Sequence, residues 1–295
     1  MGLIYKNKKR IEKVLRFLNK KPGFSSIFYW IHELNKDDFL GDRFTAVETR
    51  EGFMLGVYNH YKDKFWRKII TGKFEPEETH LIKKLVPHFD VFIDIGANIG
   101  YYACLVGAKS KDKQLIMFEP FPQNIKILEK NLSMNGLGNN KVHKIALGEK
   151  AGSTTLYGVD TMATILANTY AETPSEQVTV KVETLDSFIP EIKPNSNVLL
   201  KMDVEGNEYF VLQGAKDFLK NVRPIGLIIE VCKNWSGGEN PHYEDTFNLL
   251  KGYGYVPYAI EPENKLVLVD NPHNNLTGNY FFIRKDKVNE FINLS

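Results

Sequence analysis

The sequence of 295 residues is short of cysteine, with two, Cys104 and Cys232. Neither belongs to a C-x-x-C pair or stands near a metal-spaced histidine cluster, which excludes a disulfide scaffold and a zinc module and fits reduced thiols in a cytoplasmic protein. No apolar run approaches the roughly 18 residues that a membrane-crossing helix needs. The N-terminus lacks the apolar core of a signal peptide, so the protein is expected on the side of the membrane where it is made. A strong charge of one sign is also missing, because the net charge is +2. That sum hides an asymmetry. Residues 1–21 carry eight lysines and arginines against Glu12 alone, +7, which leaves −5 for the rest. A mildly acidic body excludes a nucleic-acid footprint over the whole protein. Internal repeats and low-complexity tracts are absent as well.

What is present is ordinary globular composition: 43% hydrophobic and 25% charged. That is enough for one large α/β domain and a modest extension. The extension is read as residues 1–43 and the domain as 44–295. Within residues 8–19, Ile11, Val14, Leu15 and Leu18 fall at helical spacing with basic residues opposite, a short basic amphipathic helix. The aromatic stretch Phe24–Leu34 follows. Two readings stand for residues 1–31: a cap packed on the domain, or peripheral contact with a membrane surface.

Thr45–Thr49 and Phe53–Tyr58 flank Glu51-Gly52 and read as a β-hairpin. Pro76–Val86 reads as a helix, with proline near its start and acids in its first turn. Strands then alternate with helices: strand Val91–Ile95, helix Ile99–Ala108, strand Gln114–Glu119, helix Pro122–Asn135, strand Lys141–Leu147. Further strands are expected at Thr154–Tyr157, Val178–Leu185, Asn197–Val204, Ile225–Val231, Tyr255–Ile260 and Asn279–Arg284. Helices are expected at Asn207–Lys220, Glu244–Lys251 and Val288–Leu294. VFIDI, LIMFE, VLLKMDV and IGLIIEV are apolar on both parities, the mark of central parallel strands covered on both faces. Right-handed crossovers then give a doubly wound, mostly parallel, Rossmann-like α/β sheet.

Ligands of such a sheet bind beyond the carboxyl ends of its strands. Acids stand at four of those ends: Asp94, Glu119, Asp203 and Glu230. After Asp94 comes Gly96-Ala97-Asn98-Ile99-Gly100, whose glycines let backbone turn sharply and approach a ligand. Its spacing is G-x-x-x-G and not the G-x-G-x-x-G of dinucleotide enzymes. Glu119 lies 23 residues beyond Gly96, an offset at which a carboxylate accepts hydrogen bonds from ribose hydroxyls. The alternatives are a plain helix-entry loop and an acid placed for the helix dipole.

VFIDIGANIGYYA, MFEP, KIALGEKAG, ETLDSF, LLKMDVEGNEYFVLQGA and IIEV occur in this order. Together they resemble the FkbM-type methyltransferases over roughly residues 44–285, with KMDVEGNE the most distinctive run. The resemblance implies a class I methyltransferase fold with a seven-stranded sheet, its last strand antiparallel. It implies S-adenosylmethionine as cofactor and O-methylation of sugars, polyketides or other natural products, hence a small-molecule or glycan acceptor. Carried onto this sequence, Asp94, Gly96, Ala97, Asn98 and Gly100 surround the methionine part and ribose, and Glu119 holds the ribose hydroxyls. Ala146 and Leu147, at the end of the third strand, lie near adenine. Asp203 stands beside the reactive methyl.

A hydroxyl acceptor gains from a general base. Asp203 is the first candidate, Glu205 the second, Glu230 the third. The structural alternative for Asp203 and Glu205 is capping of the helix that follows. A divalent ion on these carboxylates is chemically conceivable, but no ligand spacing requires one and no metal is expected. The seven histidines are scattered; His60 and His242 are lesser base candidates. Trp235, in the loop Trp235–Asn240, is suited either to stacking on a sugar or to packing over its own loop. Thr161–Asn168 is a candidate pocket wall or lid. Two other classes remain as alternatives: a nicotinamide-dependent oxidoreductase, which the missing G-x-G-x-x-G opposes, and a non-catalytic S-adenosylmethionine-binding module.

Overall fold

A computed structural model describes residues 44–58, 68–69, 71–159, 162–164, 176–235, 238–272 and 278–294. The basic amphipathic segment, the aromatic stretch after it and His60 lie outside these residues. The chain divides into two compact units, 1–76 and 77–295. The first holds the expected hairpin, strands β1 (Phe44–Glu48) and β2 (Met54–Tyr58), paired antiparallel. Its turn closes through Thr49, whose hydroxyl and N–H both reach the Phe53 carbonyl, at 3.0 and 2.8 Å.

The second unit begins within helix α1 (Pro76–Leu85). Then come β3 (Val91–Ile95), α2 (Tyr101–Lys109), β4 (Gln114–Phe118), α3 (Pro122–Met134) and β5 (Lys141–His143). Four short or exposed strands follow: β6 (Ala146–Leu147), β7 (Gly152–Val159), β8 (Met162–Thr164) and β9 (Glu176–Glu183). After them come β10 (Val198–Met202), α4 (Glu208–Gln213), β11 (Gly226–Glu230), β12 (Asn234–Trp235), β13 (Gly238–Glu239) and α5 (Tyr243–Gly252). The unit ends with β14 (Tyr255–Glu261), β15 (Lys265–Leu268), β16 (Asn279–Arg284) and α6 (Val288–Phe291).

The central sheet has the order β15-β14-β16-β11-β10-β3-β4-β5. From β5 to β11 the strands run parallel, and β16 is antiparallel to both its neighbours. This is the doubly wound α/β sheet expected, with its antiparallel strand where Asn279–Arg284 was placed. One strand is added to the seven. β15 folds back on β14 through a turn in which Glu263 and Asn264 are left-handed, at φ 63° and 61°. Its short run KLVL carries no turn glycine and is not read as a strand from the sequence.

The core explains why the strands read as continuous apolar runs. Every residue of β3 and β10 is buried, including Asp94 and Lys201. One face, with Val91, Ile93, Leu200 and Met202, packs on Val211 and Leu212 of α4 and Phe247 and Leu250 of α5. Helix α2 is buried from Tyr101 to Gly107, as befits a helix apolar on all sides.

Two expectations need correction. The third strand does not run to Leu147: β5 ends at His143, whose carbonyl accepts the Glu119 N–H at 3.1 Å. Ala146 and Leu147 form β6, in a separate sheet of order β6-β9-β7-β8. The helix expected over Asn207–Lys220 stops at Gln213 and resumes as a wider turn at Phe218–Val222. Gly214 sits against the Gly148 carbonyl at the break, where even a Cβ would lie 2.0 Å from that oxygen.

Candidate active site

The chain winds from β3 to β4 and β5 on one side, then returns to β10 on the other side of β3. The switch point is therefore the crevice beyond β3 and β10, the place where such sheets bind ligands. Two loops meet there. The first turns through Gly96, Asn98 and Gly100, all left-handed at φ 78°, 50° and 83°. Gly96 lies so close to the second loop that a Cβ would sit 1.9 Å from the Asp203 carbonyl oxygen. Only glycine fits both the conformation and the contact. The amides of Gly96 and Ala97 both donate to the Phe118 carbonyl at 3.0 Å, and Asn131 of α3 donates to the Ile99 carbonyl at 2.7 Å. The loop is thus held from β4 and α3 before any ligand arrives.

Glu119 is buried at the end of β4. Its carboxylate accepts the Asn98 N–H at 2.8 Å and the Phe121 N–H at 2.9 Å, with the Asn124 amide at 3.4 Å. Burial pushes its pKa up to about 7, and these hydrogen bonds oppose the rise. The residue thus ties the glycine loop to the start of α3.

The second loop carries Asp203. Lys201, 4% exposed, is the register partner of Asp94 and reaches Asp203 Oδ2 at 3.1 Å, with its ammonium 5.1 Å from the Tyr102 ring centre. Asp203 Oδ1 is shielded and meets no N–H donor of the described residues. Its neighbour is the carboxyl of Glu230. Burial disfavours charge on Asp203, but the Lys201 ammonium outweighs it and lowers the pKa. Glu230 is raised far above the glutamate range, first by the Asp203 charge, then by burial, with Glu205 adding to it. The pair therefore shares one proton, held on Glu230, with Asp203 ionised. This argues against Glu230 as a base at neutral pH.

Glu205 occupies the turn beyond Asp203 in a left-handed conformation, φ 53°, followed by Gly206 at 98°. The N-cap residue of the next helix is Asn207. The carboxylate that braces this turn is Glu208, which the sequence leaves without a role. Its Oε1 accepts the Val204 and Gly206 N–H groups at 3.3 and 3.1 Å, and burial raises its pKa to about 7. Lys201 is the other residue missed. Its signal was a lone charge inside the apolar strand VLLKM, level with Asp94 in VFIDI.

The structure thus brings Asp94, Gly96, Ala97, Asn98, Gly100, Glu119, Asp203, Glu205 and Glu230 to one end of the sheet. Ala146 and Leu147 are buried on β6, Leu147 in the main core and Ala146 in a small cluster with Leu156 and Val180. His242 stands at the start of α5, bonded to Asp245 at 3.1 Å. Trp235 lies on β12, and of Thr161–Asn168 the described part is β8.

Residues 94–257 match the methyltransferase FkbM domain. The chain belongs to the FkbM methyltransferase family. Methyltransferase 1 of Beauveria bassiana is 28% identical over 60% of this chain and 76% of its own length. The hexuronic acid methyltransferase AglP of Haloferax volcanii is 28% identical over 57% of this chain and 66% of its own. The solved FkbM methyltransferase of Methylobacillus flagellatus is 19% identical, with a TM-score of 0.43 over 75% of this chain and 55% of that one. This FkbM-family chain is a methyltransferase, and the donor set of its site fits the cofactor expected for the fold. Asp94 is level with the buried Lys201, whose ammonium pairs with Asp203 beside Glu230, and Glu119, Glu205 and Glu208 stand at the same end of the sheet. An ionised Asp203 beside the glycine loop complements a sulfonium or an ammonium and disfavours a pyrophosphate.

Proposed function

We propose that the chain transfers a methyl group from S-adenosylmethionine to a hydroxyl of a sugar, glycolipid or other natural product. The carrying observation is the Lys201–Asp203–Glu230 cluster beside Gly96 at the switch point. Glu119 would take the ribose hydroxyls, the Gly96–Gly100 loop the methionine part, and Ala146 and Leu147 would lie toward adenine. When bound, the cofactor supplies an electrophilic methyl on a cationic sulfur. The Asp203 carboxylate, on a side chain that is 25% exposed, is placed to orient the acceptor hydroxyl and take its proton as the oxygen gains the methyl. Lys201 keeps that carboxylate charged, and the protonated Glu230 fixes its direction. Held geometry then supplies much of the acceleration. The relative that methylates hexuronic acid supports a sugar acceptor.

The test is transfer of labelled methyl from S-adenosylmethionine to cell-envelope glycan and lipid extracts. The wild-type chain is expected to label a carbohydrate fraction, and Asp203→Asn to lose on the order of 10²-fold or more in rate. Undiminished transfer by Asp203→Asn, or no label in any of these fractions, would overturn the proposal.

A further inference from the structure

Three aromatic rings gather where α4 and α5 begin, outside the carboxyl cluster. Tyr209 and His242 stack nearly parallel, centroids 4.6 Å apart at 8°. Phe210 meets His242 edge-on at 5.0 Å and Tyr209 at 5.7 Å. Phe210 is 38% exposed, and the other large apolar side chains exposed to that degree among the described residues stand elsewhere: Met134 on α3, Val267 and Leu268 on β15. An exposed phenylalanine beside two stacked rings is not needed for packing.

Both supports of this cluster are loops that build the active site. Tyr209 and Phe210 directly follow Glu208, whose carboxylate holds the Asp203 loop through Val204 and Gly206. On the other side, the His242 N–H donates to Asn240 Oδ1 at 3.0 Å, and the Asn240 amide donates to the Cys232 carbonyl at 3.1 Å. The Cys232 thiol in turn lies 3.8 Å from Glu230 Oε1. The rings therefore stand at the rim of the carboxyl-end face, tied to Asp203 through α4 and to Glu230 through Asn240. Their edges are polar: the Tyr209 hydroxyl, the His242 imidazole and the Asp245 carboxylate paired with it.

An apolar corner with polar edges matches one ligand shape in particular. A pyranose ring has an apolar C–H face, which aromatic carbon covers by dispersion and burial, and a belt of hydroxyls, which needs donors and acceptors at the margin. A flat aromatic acceptor would instead be served by a closed slot. We propose that Tyr209, Phe210 and His242 form a platform that binds a pyranose ring of the acceptor at the mouth of the active site. This rests on the reading of the chain as a methyltransferase of sugar hydroxyls and names the subsite that selects them.

Saturation-transfer NMR on the full chain with S-adenosylhomocysteine tests it, with methyl β-D-glucopyranoside and methyl β-D-glucuronopyranoside as probes and 4-methylcatechol as the flat alternative. Ring C–H protons of at least one pyranoside should saturate. Phe210→Ser and His242→Ala should each weaken its binding about tenfold, the equivalent of one stacked ring. Phe210→Tyr should bind as the wild type does, and calorimetric affinity for S-adenosylhomocysteine should be unchanged in all three. Pyranoside binding that ignores both disruptive variants overturns the platform. So does binding of the catechol with neither pyranoside. If glycan labelling persists while the variants leave pyranoside binding untouched, the platform falls and the sugar-methyltransferase reading stands. If no carbohydrate is labelled and no pyranoside saturates, both fall.

Discussion

Glu119 sits under two opposed influences: burial drives its pKa from 4.5 up to about 7, and the amides of Phe121, Asn98 and Asn124 hold its charge. The sign of the linkage follows. Between those values the folded state keeps a proton that the unfolded state releases, so this group's contribution to stability is full below about pH 4.5 and declines as pH rises to about 7. Ribose hydroxyls, in contrast, donate to the ionised form. Affinity for S-adenosylhomocysteine should therefore strengthen from about pH 6 to 8, by up to about tenfold per unit below the pKa. Calorimetry across that range checks it, with Glu119→Gln expected to bind weakly and without the trend. A flat wild-type profile would remove Glu119 from the ribose site. Lys201 acts in the other direction, holding Asp203 below its ordinary range. In Lys201→Met, burial acts on Asp203 with only the Glu230 hydrogen bond left to oppose it. The acidic limb of the kcat/KM profile should move to higher pH, and Lys201→Arg should move it less. A limb that stays in place would show that Asp203 does not set it.

Among the elements, α4 shows how a local rule gives way to a tertiary contact. Residues 207–220 carry helical periodicity, yet the helix ends at Gln213 because Gly214 is pressed on the Gly148 carbonyl. Gly214 has an ordinary φ of −89°, so space alone demands glycine there. Gly136 is the converse: φ is 68° and nothing lies within 4 Å of its Cβ position. Gly136→Ala should cost about 1 kcal/mol through its backbone. Gly214→Ala should cost more, about 1–3 kcal/mol of overpacking and upward. Thermal denaturation of the two variants, with equal losses counting against the argument, separates backbone conformation from space. The stop at Gly136 after α3 was legible because left-handed glycine is a local signal. The stop at Gly214 was not, because its cause lies 66 residues earlier in the chain.

For the whole molecule, strand order is what makes a site from scattered acids. Asp94, Glu119, Asp203 and Glu230 belong to four strands that the doubly wound order sets side by side. All four lie in the unit 77–295. A chain of residues 74–295 should then bind S-adenosylhomocysteine within about threefold of the full-length affinity. A loss beyond about tenfold by calorimetry would assign part of the cofactor site to the first unit.

The sequence by itself determined the parallel core, the glycine loop, the acid after β4 and the family, because each is written in local periodicity or in a contiguous run of residues. It also named the carboxylates at the strand ends. Only the tertiary structure decided their roles. Lys201 beside Asp203, a proton on Glu230, Glu208 as the acid that braces the Asp203 loop, the end of β5 at His143 and the ring cluster of Tyr209, Phe210 and His242 all depend on what stands across from each residue. Charge, burial and steric contact act through space, and a one-dimensional pattern records which groups are available but not which of them meet.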